Sequence, residues 1–289
     1  MTNAVLTGLV LGGMYALIAM GLTLQYGVAR IMNLSYGEFL IGAAFASYWL
    51  FTGWALNPLA GLAFVIPVSF GVSYLLYRVL LTPLVRRART RDALEVDSIL
   101  ATFGMMFIVQ GIMLTMFGGA YFSYSFLAVP VTIVGEVLAL NRLIAFGLAV
   151  VVGLALYLTL TRTRIGTSIR AVAVDPIAAQ LVAIDVTRTS ALAFALGGAL
   201  VASAGVLISM FLTFSATSGV VFTMKALIVV VMGGVGNLLG CLVAGLALGL
   251  SEALVATFID PGLTLAVNFA LFLGVLLVKP AGILGRAQR

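Results

Sequence analysis

Ionisable side chains inside apolar sequence carry the most chemical content in this chain, because each is costly in hydrocarbon and needs a cavity, a partner or a pathway. Glu38, Lys225 and Glu252 are isolated in this way. Glu38 completes Ser35-Tyr-Gly-Glu38, a capping-box pattern that opens a helix directly after the irregular 27–33 stretch. A helix that starts at membrane level points its positive dipole end into the bundle. Four roles are open to Glu38: a cap at the interface, an ion pair with Arg30, a pairing with Lys225, or contact with a transported solute. Lys225 sits near the outer end of its apolar run, where snorkelling to the surface is the simpler reading. Catalytic chemistry finds no support. The chain has no His, which removes a Ser-His protease, a His-ligated metal and a His proton relay. Gly-Lys-[Ser/Thr] does not occur, and Gly234-Val-Gly236-Asn-Leu-Leu239 fails the dinucleotide fingerprint at its last glycine. If ATP powers this protein, another chain binds it. Cys241 is the single cysteine, so internal disulfides and thiolate clusters are excluded, and it reads as a small packing residue.

A second set of informative residues lies in the polar interval 162–188, between two long apolar stretches. Asp175-Pro176 is a helix-start signal, because Asp caps orphan amides and Pro at the first helical position loses nothing by lacking an N–H. A helix from about 176 to 184 follows, with Ala178, Leu181, Val182 and Ile184 as an apolar side; it is too short to stand alone in water and depends on packing. Before it, Ile165, Ile169 and Val172 recur at helical spacing among Arg164, Thr167, Ser168 and Arg170. The interval reads as a docking surface for a partner; a helix lying on anionic lipid is the alternative.

The elements that must position these residues are membrane helices. At 63% hydrophobic and 8% charged, the sequence is far from the roughly 45–50% and about 25% of soluble domains. Apolar runs fall at about 4–24, 38–56, 59–81, 98–117, 142–161, 189–212, 220–236, 239–258 and 263–279. The expected fold is an all-α polytopic bundle forming one transmembrane domain over 1–289, with about 8, possibly 9, spans and the 162–188 loop within it. The run 220–236 is short, contains Lys225 and ends in Gly233-Gly-Val-Gly236, a composition suited to a broken or re-entrant helix. No Lys or Arg precedes Arg30, so the first run is read as a membrane helix and not a cleaved signal.

Arginines and lysines set the orientation. Arg86, Arg87, Arg89 and Arg91, then Arg162, Arg164, Arg170 and Arg188, then Lys279, Arg286 and Arg289 mark three cytoplasmic segments. The net charge of +6 is spread over these loops and points to no nucleic acid. The 118–141 loop belongs outside, and the alternation in 121–126 and 129–134 suggests a small hairpin. The N-terminus lies outside with nine spans and inside with eight. Gly8 with Gly12, Gly236 with Gly240, and Gly245 with Gly249 have the small-xxx-small spacing that lets helix backbones approach closely.

With these residues in view, the chain resembles, over nearly its whole length, a permease subunit of the branched-chain amino acid type of ABC importer. Tyr15-Ala-Leu-Ile-Ala-Met-Gly-Leu-Thr-Leu24, Tyr26-Gly-Val, Asn33 and Gly37-Glu-Phe39 resemble the family's opening signature. Arg162 to Ala171, followed by Asp175-Pro176 and Ala178-Ala179, resembles its ATPase-docking loop; Lys225 to Gly236, Gly240, Gly245 and Lys279-Pro-Ala-Gly282 resemble its C-terminal half. The resemblance implies a non-catalytic subunit in the bacterial inner membrane. Its implied partners are a second, related permease chain, two cytoplasmic ATPases that hold ATP and Mg, and a periplasmic binding protein. Tyr15, Asn33, Ser35, Tyr36, Glu38 and Lys225 form the expected substrate pathway, and Arg164, Gly166, Arg170, Asp175, Pro176, Ala178, Ala179, Leu181 and Val182 the expected ATPase-coupling surface. Family members carry His where this chain has Tyr36; Tyr keeps a donor and an acceptor but loses a group that titrates near neutrality, which leaves the cargo open. The rival class is a self-sufficient channel or secondary transporter for a small neutral solute such as urea, and a third is a membrane scaffold without transport.

Overall fold

The computed structural model describes residues 1–88, 90–133 and 135–285. Arg89, Arg286 and Arg289, invoked for orientation, and Val134 of the expected hairpin lie outside the described residues, as does the Arg91 side chain.

Every apolar run becomes a helix. In chain order these are α1 (Thr2–Ala29), α2 (Tyr36–Trp54), α3 (Pro58–Leu76), which continues through a π turn (Tyr77–Leu81) into α4 (Thr82–Arg87), α5 (Arg91–Phe117) and α6 (Leu140–Arg162). The polar interval folds as α7 (Arg164–Val174) and α8 (Pro176–Leu181), and the second half as α9 (Val186–Ser209), α10 (Gly219–Gly233), α11 (Leu238–Phe258) and α12 (Thr264–Val278). Among the described residues, seven helices are long and apolar enough to cross a membrane, with α3 and α4 taken as one. Neither α2 nor the 15-residue α10 is among them. At about 1.5 Å per residue α10 falls well short of the roughly 30 Å hydrocarbon layer.

Backbone polarity explains why so many starts are capped: an amide left open in a low-dielectric bundle is expensive, so short polar side chains close helix ends. Asn57, Thr90, Thr163, Asp175, Asp185 and Asn237 each accept from an amide in the first turn of the helix they precede. Gly234 (φ 99°) and Gly236 (φ 82°) stop α10 and turn the chain into α11 in a backbone region that disfavours side chains.

Burial sorts the helices. α1 and α9 are central, with 72% and 83% of their apolar stretches buried, whereas α3, α5 and α12 are peripheral at 17%, 22% and 6%. α1 meets α11 antiparallel along the expected glycine faces: a Cβ on Gly8 or Gly12 would run into the backbone of Leu250 or Leu246, and one on Gly245 or Gly249 into Ala16 or Gly12. Where lipid removes the hydrophobic drive between helices, such close packing supplies the attraction. The third glycine pair behaves differently. Gly240 packs on Gly233, while Gly236 faces open space in the turn. Buried Cys241 donates to Thr23 Oγ1 at 3.2 Å across the same α1–α11 seam.

The outer loop departs from the expected hairpin. β1 (Pro130–Ile133) pairs antiparallel with β2 (Glu136–Ala139), not with 121–126. The latter segment instead dives into the bundle, where Phe122 exchanges backbone hydrogen bonds with Phe214 at 2.8 and 3.0 Å and packs its ring against Phe45. Its alternating aromatics had three helices to bury against, which outweighs pairing in an exposed ribbon. Tyr124 anchors it, with its hydroxyl 2.9 Å from Ser47 Oγ and 2.8 Å from Ser209 Oγ. Burial raises the Tyr124 hydroxyl above its ordinary pKa, against a smaller opposing effect of the two serines.

Candidate transport site and coupling segment

Lys225 does not snorkel. Its Nζ donates to Glu252 at 2.7 and 2.9 Å and to the Tyr15 hydroxyl at 2.8 Å, 4.7 Å from the Tyr15 ring centroid. The side chains of Lys225 and Glu252 are 10% and 14% exposed. Because α10 is flanked by α1, α2 and α11, the lysine finds a carboxylate sooner than it finds water. Asn268 of α12 completes the group with a long 3.4 Å bond to Glu252 Oε2, and its own Oδ1 is buried without a partner. Tyr15, Lys225, Glu252 and Asn268 therefore join α1, α10, α11 and α12 around one ion pair. A cavity of about 470 Å³, lined in part by Asn3, Thr7, Glu252, Thr257 and Thr264, opens beside the carboxylate. Glu252 stood out in the sequence as a lone charge; Asn268 did not, since a neutral amide in an apolar run carries no comparable signal.

A second polar group sits where α2 begins. Ser35 does not cap α2 with its side chain. Instead its Oγ and its amide both donate to Asn33 Oδ1, at 2.7 and 3.1 Å, because the Asn carboxamide turns the chain before the helix starts. Asn33 Nδ2 donates to Gln25 Oε1 at 3.1 Å, and Gln25 Nε2 donates to Phe194 O at 3.0 Å. Gln25 was not singled out beforehand, though a buried amide in the last turns of an apolar helix is a signal of need for partners. Tyr36 is fully buried between α1 and α9, its hydroxyl 3.0 Å from Ile18 O and 3.1 Å from Gly197 O. A Cβ on Gly21 would strike that hydroxyl, so the glycine leaves room for the phenol.

Glu38 is the outlier. It is fully buried, and among the described residues neither carboxylate oxygen has a hydrogen-bond partner. Neither Arg30 nor Lys225 pairs with it; among the described residues the one ion pair is Lys225–Glu252. The carboxylate abuts the first residue of α10, since a Cβ on Gly219 would meet Glu38 Cδ and Oε1 at 2.5 Å. One turn away, Thr223 Oγ1 accepts from the Gly37 amide at 2.8 Å and donates to Leu34 O at 3.3 Å, which locks α10 to the α2 entry. The positive end of the short helix thus faces an unpaired acid. Among the described residues no cluster of His, Cys, Asp or Glu could hold a metal ion.

The polar interval is held by one face and free on the other. Thr163 Oγ1 accepts from the Gly166 amide at 3.1 Å, and a Cβ on Gly166 would strike the Thr159 and Leu160 backbone, so α7 folds tightly against the end of α6. Ile169, Val172 and Ala179 are buried against the bundle. Asp175 Oδ1 accepts from Ile177 N at 2.8 Å and Ala178 N at 3.1 Å, as expected of Asp-Pro. α8 ends at Leu181, short of the expected 184, because the chain turns at Val182 and Ala183 takes a left-handed φ of 61°. Of the expected apolar side, Ile184 packs inward, whereas Ala178 is exposed and Leu181 and Val182 are 85% and 70% exposed; Val174 and Ile177 join them at 85% and 69%. Arg164 and Arg170 are exposed alongside.

These features define a polytopic helical membrane protein with buried charge and an exposed apolar face on the helices outside the bundle. The family described as branched-chain amino acid transport system, permease component, matches residues 4–276. The chain is 32% identical to the high-affinity branched-chain amino acid transport system permease protein LivH of Escherichia coli, covering 97% of this chain and 94% of that one. It is 31% identical to the corresponding BraD of Pseudomonas aeruginosa, with the same coverage. Among solved structures, PsaBC from Streptococcus pneumoniae in complex with Fab superposes with a TM-score of 0.51 at 12% identity, covering 97% of this chain and 92% of that one, which is a likeness of fold. The chain belongs to the branched-chain amino acid transport permease family. It is a multi-pass inner-membrane protein, the permease component of an ABC-type importer, and the reading as a self-sufficient channel or secondary transporter is not favoured.

Proposed function

We propose that this chain forms half of the translocation pathway for branched-chain amino acids and couples it to ATP hydrolysis in separate subunits. The observation that carries the coupling is the α7–α8 surface: Val174, Ile177, Leu181 and Val182 stand exposed on a short, capped helix pair whose opposite face is fixed to the bundle. An isolated helix of this length is marginal in water. A groove in a cytoplasmic ATPase that buried these side chains would stabilise it, and rigid packing through Gly166, Ile169 and Ala179 would pass the motion on to α6 and α9. Moving a two-state population from 1:99 to 99:1 takes about 5.5 kcal/mol of differential binding, within reach of a nucleotide-driven partner.

In this reading the assembly contains a second, related permease chain, two ATPases and a periplasmic binding protein, and works by alternating access. The short α10 serves as a broken or re-entrant segment within an eight- or nine-span bundle. Its unpaired neighbour Glu38 and the Lys225–Glu252 pair supply opposite charges for a solute with an ammonium and a carboxylate. The names of LivH and BraD support branched-chain amino acids as cargo. The test is Leu181→Asp with Val182→Asp. We expect ATPase co-purification and leucine uptake to be lost while the permease keeps its yield and thermal midpoint. Co-purification at wild-type level would overturn the coupling assignment.

A further inference from the structure

A cavity of about 620 Å³ lies at the arginine-rich end of the α3–α4 helix, lined on that side by Arg78, Thr82, Arg86 and Arg87. Asp185 and Thr187, where the α7–α8 segment passes into α9, form its other wall. The positive-inside rule puts this end at the inner membrane face. Three arginines therefore line one opening together with a single acidic residue, Asp185. That carboxylate is engaged, since Asp185 Oδ1 accepts from the Arg188 amide at 2.9 Å. Among the described residues none of the three arginines is within pairing distance of an acid. Arg78 lies over the Tyr74 ring, its guanidinium carbon 5.6 Å from the ring centroid.

Gathering three cations around a single carboxylate leaves a net excess of positive charge, and planar guanidinium forks match the oxygens of a phosphate. The approach to the cavity is apolar. Val72, Leu75, Val79 and Leu80 are exposed on the same continuous helix, leading from the span to the arginines. A soluble anion would use only the charged end of this arrangement; a phospholipid would use both.

We propose that this cavity binds the phosphate headgroup of an anionic phospholipid, with the acyl chains lying along α3 and the headgroup bridging α4 to the Asp185–Thr187 exit of the coupling segment. The binding itself stands apart from the transport reading, because it needs only the membrane and the three arginines. Naming the Asp185–Thr187 wall as the exit of a coupling segment rests on that reading.

The experiment uses the full permease in its importer complex, reconstituted in nanodiscs of phosphatidylcholine with a minor fraction of phosphatidylglycerol. Native mass spectrometry counts the phosphatidylglycerol retained on release. Wild type should retain it selectively. Each arginine near an anionic leaflet is worth about fivefold in association, so Arg78→Gln/Arg86→Gln/Arg87→Gln should weaken retention by roughly 100-fold. A control with Arg30→Gln/Lys279→Gln removes positive charge outside both the cavity and the coupling segment and should keep the lipid. Should the first triple variant misassemble, Arg86→Gln alone should still weaken retention about fivefold. Retention at wild-type level in the cavity variants, or equal loss in the control, would overturn the site. Displacement of the lipid from wild type by millimolar inorganic phosphate would overturn the lipid as occupant in favour of a soluble phosphate. Retention by the free permease but not by the assembled complex would assign the cavity to an acidic surface of the ATPase instead. Loss of uptake in the cavity variants with lipid retention unchanged would overturn the lipid site while leaving the transport reading in place.

Discussion

The ion pair between α10 and α11 offers a quantitative test because its two ends are not equivalent. In Glu252→Leu, Lys225 Nζ loses bonds of 2.7 and 2.9 Å and keeps only the Tyr15 hydroxyl and ring, in a side chain 10% exposed. Stranding one member of a buried pair costs about 3–5 kcal/mol, and this substitution belongs at the upper end. In Lys225→Met the carboxylate keeps Asn268 at 3.4 Å and borders the cavity of about 470 Å³. Water can reach it there, so the cost falls toward the lower end, about 3 kcal/mol. Lys225→Met/Glu252→Leu removes both charges and replaces them with apolar groups of similar length, which is often neutral or stabilising by about 1–4 kcal/mol. Thermal unfolding of the purified permease in nanodiscs reads the series: roughly 6–20 °C lost in the single variants and most of it regained in the double. Leucine uptake then separates structure from transport, since a pair that meets the solute leaves the stable double variant inactive. A double variant as unstable as the worse single one would refute the argument that the cost of each single variant is the stranded partner charge.

Tyr36→Phe removes a hydroxyl set between Ile18 O and Gly197 O; a strut of this kind costs about 1 kcal/mol and leaves the half-saturation concentration for uptake where it was. A shifted half-saturation with an unchanged thermal midpoint would instead put the phenol on the solute's path. Gly249→Val drives a side chain into the Gly12 backbone, and overpacking of this sort costs about 1–3 kcal/mol or more, visible as a lower thermal midpoint and reduced yield; an unchanged midpoint would count against the tight α1–α11 seam. Asp175→Ala removes the acceptor for the Ile177 and Ala178 amides, worth about 1 kcal/mol, so ATPase affinity measured by titration should fall roughly fivefold if α8 must be formed in order to dock.

What could be read in the sequence and what could not divide along a physical line. Helices and their glycine seam were legible because lipid forces backbone pairing within each segment, so an apolar run of sufficient length has little choice of structure. Asp175-Pro176 was legible for the same local reason: cap and first-turn residue are adjacent in the chain. Partnerships were not. Lys225 meets Glu252 and Tyr15 across 27 and 210 residues, and periodicity on one helix does not say which neighbour it will face. The capping-box reading of Ser35 and Glu38 failed in an instructive way. Asn33 took the serine, and the acid was left against Gly219 with no donor. A fully buried carboxylate without a partner is far more costly than a missed cap. The same site is where the short helix α10 starts and where Thr223 bridges to the α2 entry. Alternating access requires some part of the bundle to have two arrangements of similar energy. On the proposed transport reading, an acid that is unsatisfied in one arrangement and reaches water or a solute's ammonium in another would bias that equilibrium, and Glu38 at the start of α10 is placed to do so.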